Sequence, residues 1–196
     1  MKNLLPIMLA IVWFGVSECT ATGKADNYVV PGASSAERIG AKVPYTRYDS
    51  KQATLGGGAV IKDTSEEHGG WAKTNIALQA SEQSYITLPS AGSYAEWEMT
   101  TKGNGITLRF TMPDAPDGVG LYGSLDIYVN DKKALTLPLS SYSNWQYFKI
   151  GDGTPKDMAV HGDFAAFAFD EVHFQLPSLQ DIGDKVRIVS TGAGGY

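Results

Sequence analysis

The sequence predicts an all-β fold, an antiparallel β-sandwich of jelly-roll type preceded by a signal peptide. From Tyr45 onward, apolar and polar residues alternate with a period of two, the period at which strand side chains change face. About ten such short stretches follow one another at the spacing typical of sandwiches. Glycine, present 22 times, supplies turns between them, and we find no convincing amphipathic helix pattern.

Residues 1–21 have the pattern of a signal peptide. Lys2 gives a positive start, residues 4–16 form an apolar core, and small polar residues follow, with cleavage predicted after Ala21. The core is too short to span a bilayer and no later apolar run is long enough, so no membrane span is predicted. The chain is therefore expected to be secreted. The alternative is a lipid anchor through Cys19, the only cysteine, although Glu18 stands where such signals carry a small residue.

Residues 22–43 mix proline, glycine, serine and isolated charges, which predicts a linker before a sandwich over residues 44–196. The alternation within the sandwich is clearest in YAEWEM (94–99), ITLRFTM (106–112), LDIYV (125–129) and ALTLPL (134–139). In the first of these, Ala95, Trp97 and Met99 are expected to be buried and the two glutamates solvated.

The later strands follow from turn chemistry and apolar content. Asn130 and Asp131 supply a tight turn, so residues 125–139 are expected to form a hairpin. Residues 164–176 are richer in apolar residues, which predicts that both faces are covered. Residues 185–190 close the pattern as a further short strand.

Charge and motifs exclude several function classes. The formal net charge is −5 and no basic cluster exceeds Lys132–Lys133, so a nucleic-acid partner is not expected. We find no zinc, serine-nucleophile or phosphate-loop motif. A glycosidase needs two carboxylates that face each other across a cleft, and sequence cannot show facing. The adjacent acids, which favour solvated or turn positions, are Glu66–Glu67, Glu96–Glu98, Asp114–Asp117, Asp170–Glu171 and Asp181–Asp184.

Aromatic residues in polar connections suggest a sugar-binding surface. An aromatic ring can stack on the C–H face of a sugar while polar neighbours bind its hydroxyls. The candidate ligand-binding residues are Trp71, Tyr142, Trp145 and Tyr147 for stacking, with Asn75 and Asn144 as amide partners. The alternative for each aromatic is that it plugs an end of the sandwich.

The run PYTRYDSKQATLGGGAV resembles the opening of the β-sandwich carbohydrate-binding modules of families 6 and 35. The order of ITLRFTMPDAPDGVG, LDIYVNDKKALTLPL, SNWQYF and FDEVHF also fits those modules over roughly residues 44–190. The likeness is to the variant found before right-handed β-helix domains in secreted mycodextranase-like or α-1,3-glucanase-like enzymes. It implies that the three glycines at 56–58 lie in an edge strand and that the partner is a polysaccharide, with an α-glucan suggested.

The resemblance also implies a structural calcium ion and one further strand. The calcium would be held by Asp49 and Asp170, although Lys51 stands where the family has an acid. The family continues into another strand after the glycine-rich turn, so the sandwich is expected to be truncated before its last strand. A downstream catalytic domain is the expected neighbour.

The function expected from these observations is non-catalytic polysaccharide binding by a secreted module of a polysaccharide-degrading enzyme. One alternative is a small glycoside hydrolase or polysaccharide lyase that uses one of the carboxylate pairs. Another is an extracellular interaction domain without a sugar site. Two acids facing across a concave groove would favour the enzyme.

Overall fold

The computed structural model of the chain describes residues 7–15, 45–65, 76–115, 118–147, 149–150, 154–155 and 165–193. The strands are β1 (Ile7–Gly15), β2 (Tyr45–Tyr48), β3 (Thr54–Gly56), β4 (Val60–Asp63), β5 (Ser84–Leu88), β6 (Tyr94–Glu98), β7 (Gly103–Thr111), β8 (Tyr122–Val129), β9 (Lys132–Ser140), β10 (Trp145–Tyr147), β11 (Lys149–Ile150), β12 (Thr154–Pro155), β13 (Ala165–Phe167), β14 (Asp170–Gln180) and β15 (Lys185–Ala193). One short helix, α1 (Ile76–Gln79), and two 3-10 turns (Ser50–Gln52 and Ser81–Gln83) accompany them. The all-β prediction is confirmed, while the jelly-roll order stays a prediction.

Two antiparallel sheets carry the fold. The first has the order β14-β7-β1-β5-β4, with β2 paired to β1 beside β5, and the second has the order β3-β6-β15-β8-β9. Two smaller pairs, β10–β13 and β11–β12, lie outside these sheets. Because buried residues of both sheets form one cluster, the sheets share a single core.

The core follows the period-two alternation. On β7, Ile106, Leu108 and Phe110 are buried while the residues between them are partly exposed. The predicted inward positions of β6 are also buried, with Ala95 fully buried and Trp97 only 2% exposed. The alternation in these stretches therefore predicted both the strands and the faces that are buried.

The β8–β9 hairpin forms around the predicted turn. Asn130 and Asp131 both have positive φ angles, of 46° and 66°, as a tight hairpin turn requires. The Asn130 amide donates to Asp184 (2.8 Å), and its carbonyl oxygen accepts from the Lys185 backbone (2.9 Å). The pKa of Asp184 is lowered chiefly by the hydrogen bond from Asn130 and, to a smaller extent, by one from the Asp181 backbone. The hairpin turn is thus joined to the turn before β15.

Glycine is required where the chain passes from one sheet to the other. Of the three glycines expected in an edge strand, only Gly56 lies in one, at the end of β3, while Gly57 and Gly58 lie in the turn after it. β3 lies at an edge of the second sheet and β4 at an edge of the first. Between them, Gly57 has φ +62°, and a Cβ there would lie 2.2 Å from the carbonyl oxygen of Gly92. A larger residue at position 57 would therefore clash with the backbone.

The prediction that residues 164–176 have both faces covered is wrong for β14. Glu171, His173 and Gln175 are exposed, and only the alternate residues are more buried. The covering layer on the outside of the first sheet packs Ala77 and Ala80 against Tyr85 of β5. That layer covers β5, whereas β14 retains an exposed face.

The N-terminal apolar segment forms a strand of the first sheet. Residues 7–15, inside the predicted signal peptide, form β1 in the interior of the first sheet. The signal peptide stays a prediction, and the predicted linker 22–43 lies outside the described residues. Among the helices of the described ranges, none is long and apolar enough to cross a membrane.

Candidate functional site

The predicted binding residues whose side chains the structure describes differ in exposure. Tyr142 is 84% exposed on the connection between β9 and β10. Asn144, two residues later, is fully buried, and Trp145 is half-buried, with its indole N–H donating to the Met112 carbonyl (2.9 Å). Tyr147 belongs to β10 and pairs with Ala165. Trp71 and Asn75 lie outside the described residues.

A shallow groove of about 200 Å³ lies beside Tyr142. It is lined by Ser140, Tyr142 and Ser143, at the end of β9 and just after it, and by Asp170, Glu171 and Val172 of β14. An exposed aromatic face, hydroxyls and carboxylates are therefore close together. This groove, which we call the Tyr142 groove, is the candidate functional site.

A buried hydrogen-bond network fixes the chain behind Tyr142. Ser141 is 1% exposed and donates its hydroxyl to Asp114 (2.6 Å), and the same Oγ accepts from the Leu121 backbone (2.7 Å). Asp114 is itself buried and also accepts from the Ala115 backbone (2.9 Å). Because Ser141 and Asp114 each make two hydrogen bonds, the backbone that carries Tyr142 is held rigidly.

Asn144 fixes the other end of this connection. Its Nδ2 donates to the carbonyl oxygens of Phe110 and Ala168, both at 3.2 Å. Its backbone oxygen also accepts from the Ala168 N–H (2.7 Å). The amide therefore joins β7, the connection and the segment before β14, and it is not exposed to a sugar. A polar residue in a serine-rich stretch resembles a surface residue in sequence, which is why sequence reasoning missed this role.

The acids of the Tyr142 groove do not form a pair that faces across it. Asp170 and Glu171 are consecutive on β14, and consecutive strand residues point to opposite faces. Glu171 lies 3.5 Å from the Arg109 guanidinium, which also stacks over Phe169 at 5.3 Å. This groove can bind hydroxyls, and it lacks the arrangement that glycoside hydrolysis requires.

The described acids of the other predicted pairs form ion pairs or hydrogen bonds within the fold. Glu96 pairs with Arg187 (2.6 Å), Asp181 lies 2.8 Å from Lys102, and Asp184 accepts hydrogen bonds in its turn. Asp114, predicted as a turn residue, is buried against Ser141. Glu66, Glu67 and Asp117 lie outside the described residues.

The calcium prediction has little support in the geometry. Asp49 lies beside Arg47, whose Nε is 3.2 Å from its Oδ1, and this cation competes with a metal ion. Asp170 accepts from the Glu171 backbone (2.8 Å). Within the described ranges, no three Asp, Glu, His or Cys side chains lie close enough to share an ion. The described residues do not fit a calcium site, and thermal midpoints measured with and without a chelator would test the calcium prediction.

Comparison with known proteins identifies the class. The family model described as "Alpha-1,3-glucanase catalytic domain D1" matches residues 42–194. The crystal structure of the Agl-KA catalytic domain is 43% identical, with a TM-score of 0.62, over 76% of this chain and 26% of that chain. A variant of the catalytic domain of a GH87 α-1,3-glucanase in complex with tetrasaccharides is 16% identical, with a TM-score of 0.50, over 74% and 26%. This second likeness concerns the fold alone. No curated protein matches the chain.

These findings correct two predictions. The resemblance to carbohydrate-binding modules of families 6 and 35 is wrong, because the matching family model is that of a glucanase catalytic domain. The main prediction of non-catalytic polysaccharide binding is wrong for the same reason, and the glycoside-hydrolase alternative is better supported. The family match confirms the relation to the glycoside hydrolases. The chain spans about a quarter of the length of the solved structures it matches.

Proposed function

Because the chain belongs to the family of the α-1,3-glucanase catalytic domain D1, we propose that it forms part of the catalytic unit of a glycoside hydrolase that cleaves α-1,3-glucan. The family match over residues 42–194 is the observation that carries this proposal. The 43% identity with the Agl-KA catalytic domain supports it. The signal-peptide pattern of residues 1–21 supports secretion of the enzyme.

The described part of the chain contributes to the unit without supplying both reacting acids. Glycoside hydrolysis uses two carboxylates on either side of the scissile bond. Asp170 and Glu171 lie on one strand, and Glu171 is paired with Arg109. We therefore assign at least one of the reacting carboxylates to the remainder of the catalytic unit. Residues 42–194 supply a rigid two-sheet domain, with the Tyr142 groove as a contact for glucan.

A chimera tests this function. Residues 1–194 of this chain replace the matching quarter of the Agl-KA catalytic domain, and reducing sugar released from α-1,3-glucan is measured. We expect the chimera to release sugar from α-1,3-glucan and not from α-1,4-glucan, with the unaltered Agl-KA domain as reference. The chain alone is expected to release none. A chimera that unfolds cooperatively yet leaves α-1,3-glucan intact would sink the proposal.

Tyr142→Ala in this chimera tests the groove. The exposed ring offers a flat apolar face, and stacking of this kind contributes about 1 kcal/mol. We expect KM for soluble α-1,3-glucan oligosaccharides to rise roughly fivefold, with kcat nearly unchanged, because the contact is made equally in ground and transition states. Tyr45→Ala is the matched control, since Tyr45 is 57% exposed and does not line the groove. Equal KM values for the two variants would remove the groove from the substrate path.

A further inference from the structure

The position of β1 is central to the first sheet. On one side β1 pairs with β7, from Met8↔Thr111 to Gly15↔Gly105. On the other side its first part pairs with β5 and its second part with β2. No other described strand joins β7 to β5 or β2. The segment at this position therefore holds two parts of the sheet together, and its N–H and C=O groups are used on both edges.

Two buried hydroxyls beside β1 have no hydrogen-bond partner. Thr87 of β5 and Thr111 of β7 are 7% and 0% exposed, and neither Oγ1 is hydrogen-bonded within the described structure. Both residues have position 8 of β1 as their Cα partner. Laterally paired residues project from the same face of a sheet, so position 8 stands between the two threonines. A buried hydroxyl without a partner is destabilising, and a polar residue at position 8 would supply one.

The end of β15 lies close to the start of β1. Gly92 donates its N–H to the Ser190 carbonyl (2.8 Å), and a Cβ on Gly192 would lie 3.6 Å from the Cβ of Ala91. Ala91 follows Leu88 by three residues, which turn and so span less than about 10 Å, and Leu88 pairs with Ile7. A strand that followed β15 would reach this position at the end where β1 begins. It would then run in the direction of β1, antiparallel to both β5 and β7.

We propose that the position of β1 is a strand-acceptor site and that Ile7–Gly15 is a replaceable occupant of it. The preferred occupant is a strand from the remainder of the catalytic unit that enters from the β15 end. It carries a hydroxyl, amide or carboxylate side chain at the register of position 8, where it bonds Thr87 and Thr111. At the register of positions 7 and 9 it carries apolar residues, because the partners there, Leu88, Ile86 and Phe110, are buried in the core.

The two parts of this proposal have different foundations. The source of the strand rests on the proposed function, since it assumes a larger catalytic unit. The polar register rests only on the pairing and on the two hydroxyls of this chain. If residues 1–21 are removed on export, the acceptor site loses its present occupant, and the mature domain needs the incoming strand to complete the sheet.

The polar register is tested by Met8→Thr in the full chain, with Met8→Leu as the matched apolar control. Both variants are made in the cytosol so that the N-terminus is retained. We expect the threonine variant to melt about 2–4 °C above the leucine variant, because it provides a partner for the buried hydroxyls. If the threonine variant melts at or below the leucine variant, the polar register is refuted.

Val12→Pro, made in the chain of 196 residues and in the chimera, tests whether β1 can be replaced. Position 12 pairs with Tyr48 and Leu108, and proline removes a backbone donor in the middle of a sheet. In the chain of 196 residues we expect the thermal midpoint to fall by about 6 °C or more. In the chimera with the Agl-KA remainder we expect no change, because the remainder supplies the strand.

If Val12→Pro lowers the thermal midpoint equally in the 196-residue chain and in the chimera, the proposed replacement of β1 is refuted. In that case β1 would be the permanent strand at this position. The release of sugar from α-1,3-glucan is recorded on the same chimera as a separate measurement. A chimera that tolerates Val12→Pro but cleaves no α-1,3-glucan would refute the function and retain the acceptor site. A chimera that cleaves α-1,3-glucan but loses thermal stability on Val12→Pro would support the function and refute the acceptor site.

Discussion

Trp97→Ala is expected to lower the free energy of unfolding by about 3–5 kcal/mol. Trp97 is 2% exposed and lies in the core shared by both sheets. Its indole N–H also donates to the backbone oxygen of Asp49 (3.0 Å), which fixes the chain just after β2. Truncation leaves a large cavity and removes one of two donors to the Asp49 carbonyl, which keeps the Gln52 N–H. Domains of this kind are stable by only about 5–15 kcal/mol. Urea unfolding of the full chain measures the loss as a lower midpoint at an unchanged slope.

Two variants separate the contributions at Trp97. Trp97→Phe retains most of the ring volume and removes the donor, so its expected cost is about 1–2 kcal/mol. Tyr122→Ala removes a 65% exposed ring and is expected to change stability by less than about 0.5 kcal/mol. A loss at Trp97→Ala no larger than that at Tyr122→Ala would mean that the core does not depend on this residue.

The burial of Trp97 could be predicted because its signal is local. Period-two alternation in YAEWEM and ITLRFTM depends only on neighbouring residues, and the structure has the same residues inward. The hairpin at Asn130 and Asp131 was predictable for the same reason, since turn residues determine a local backbone shape. Pairing between distant segments has no such signal. The interior position of residues 7–15 therefore could not be predicted from their apolar composition.

The candidate site was only partly predictable, because exposure of a loop residue depends on long-range partners. Tyr142 and Asn144 share the same serine-rich stretch, yet the first is exposed and the second is fully buried. The difference arises from carbonyl groups of Phe110 and Ala168, which are far away in sequence. Asp114 was predicted as a turn residue for the same reason, because its partner Ser141 lies on the far side of the β8–β9 hairpin.

The functional class was missed because strand patterns describe a fold and not a reaction. Short alternating strands, glycine turns and loop aromatics occur alike in binding modules and in the sheet domains of enzymes. The family match separates the two, since it compares whole stretches of sequence over residues 42–194. No single motif of this chain carries that information.

Asn144→Ala is expected to lower the free energy of unfolding by about 2–4 kcal/mol, because a buried and a partly buried carbonyl oxygen lose their shared donor. The fully buried amide of Asn144 joins Phe110 of β7 to Ala168, just before β14. Ser143→Ala is the matched control on the same connection, since Ser143 is exposed and a change of less than about 0.5 kcal/mol is expected. Urea unfolding of the two variants in parallel measures the difference.

Asn144→Asp distinguishes the donor from the volume. This substitution keeps the size of the side chain and replaces a donor with a charged acceptor facing two carbonyl oxygens, so at pH 7 it is expected to cost more than Asn144→Ala. Burial among carbonyls raises the pKa of the introduced carboxyl above its unfolded value, so its neutral form is favoured in the fold. The variant therefore recovers stability, relative to the parent, as the pH falls through that raised folded-state pKa towards the unfolded one. If its loss were the same at pH 7 and pH 4, the side chain would not face the two carbonyls, and the rigid attachment of the Tyr142 groove would lack this support.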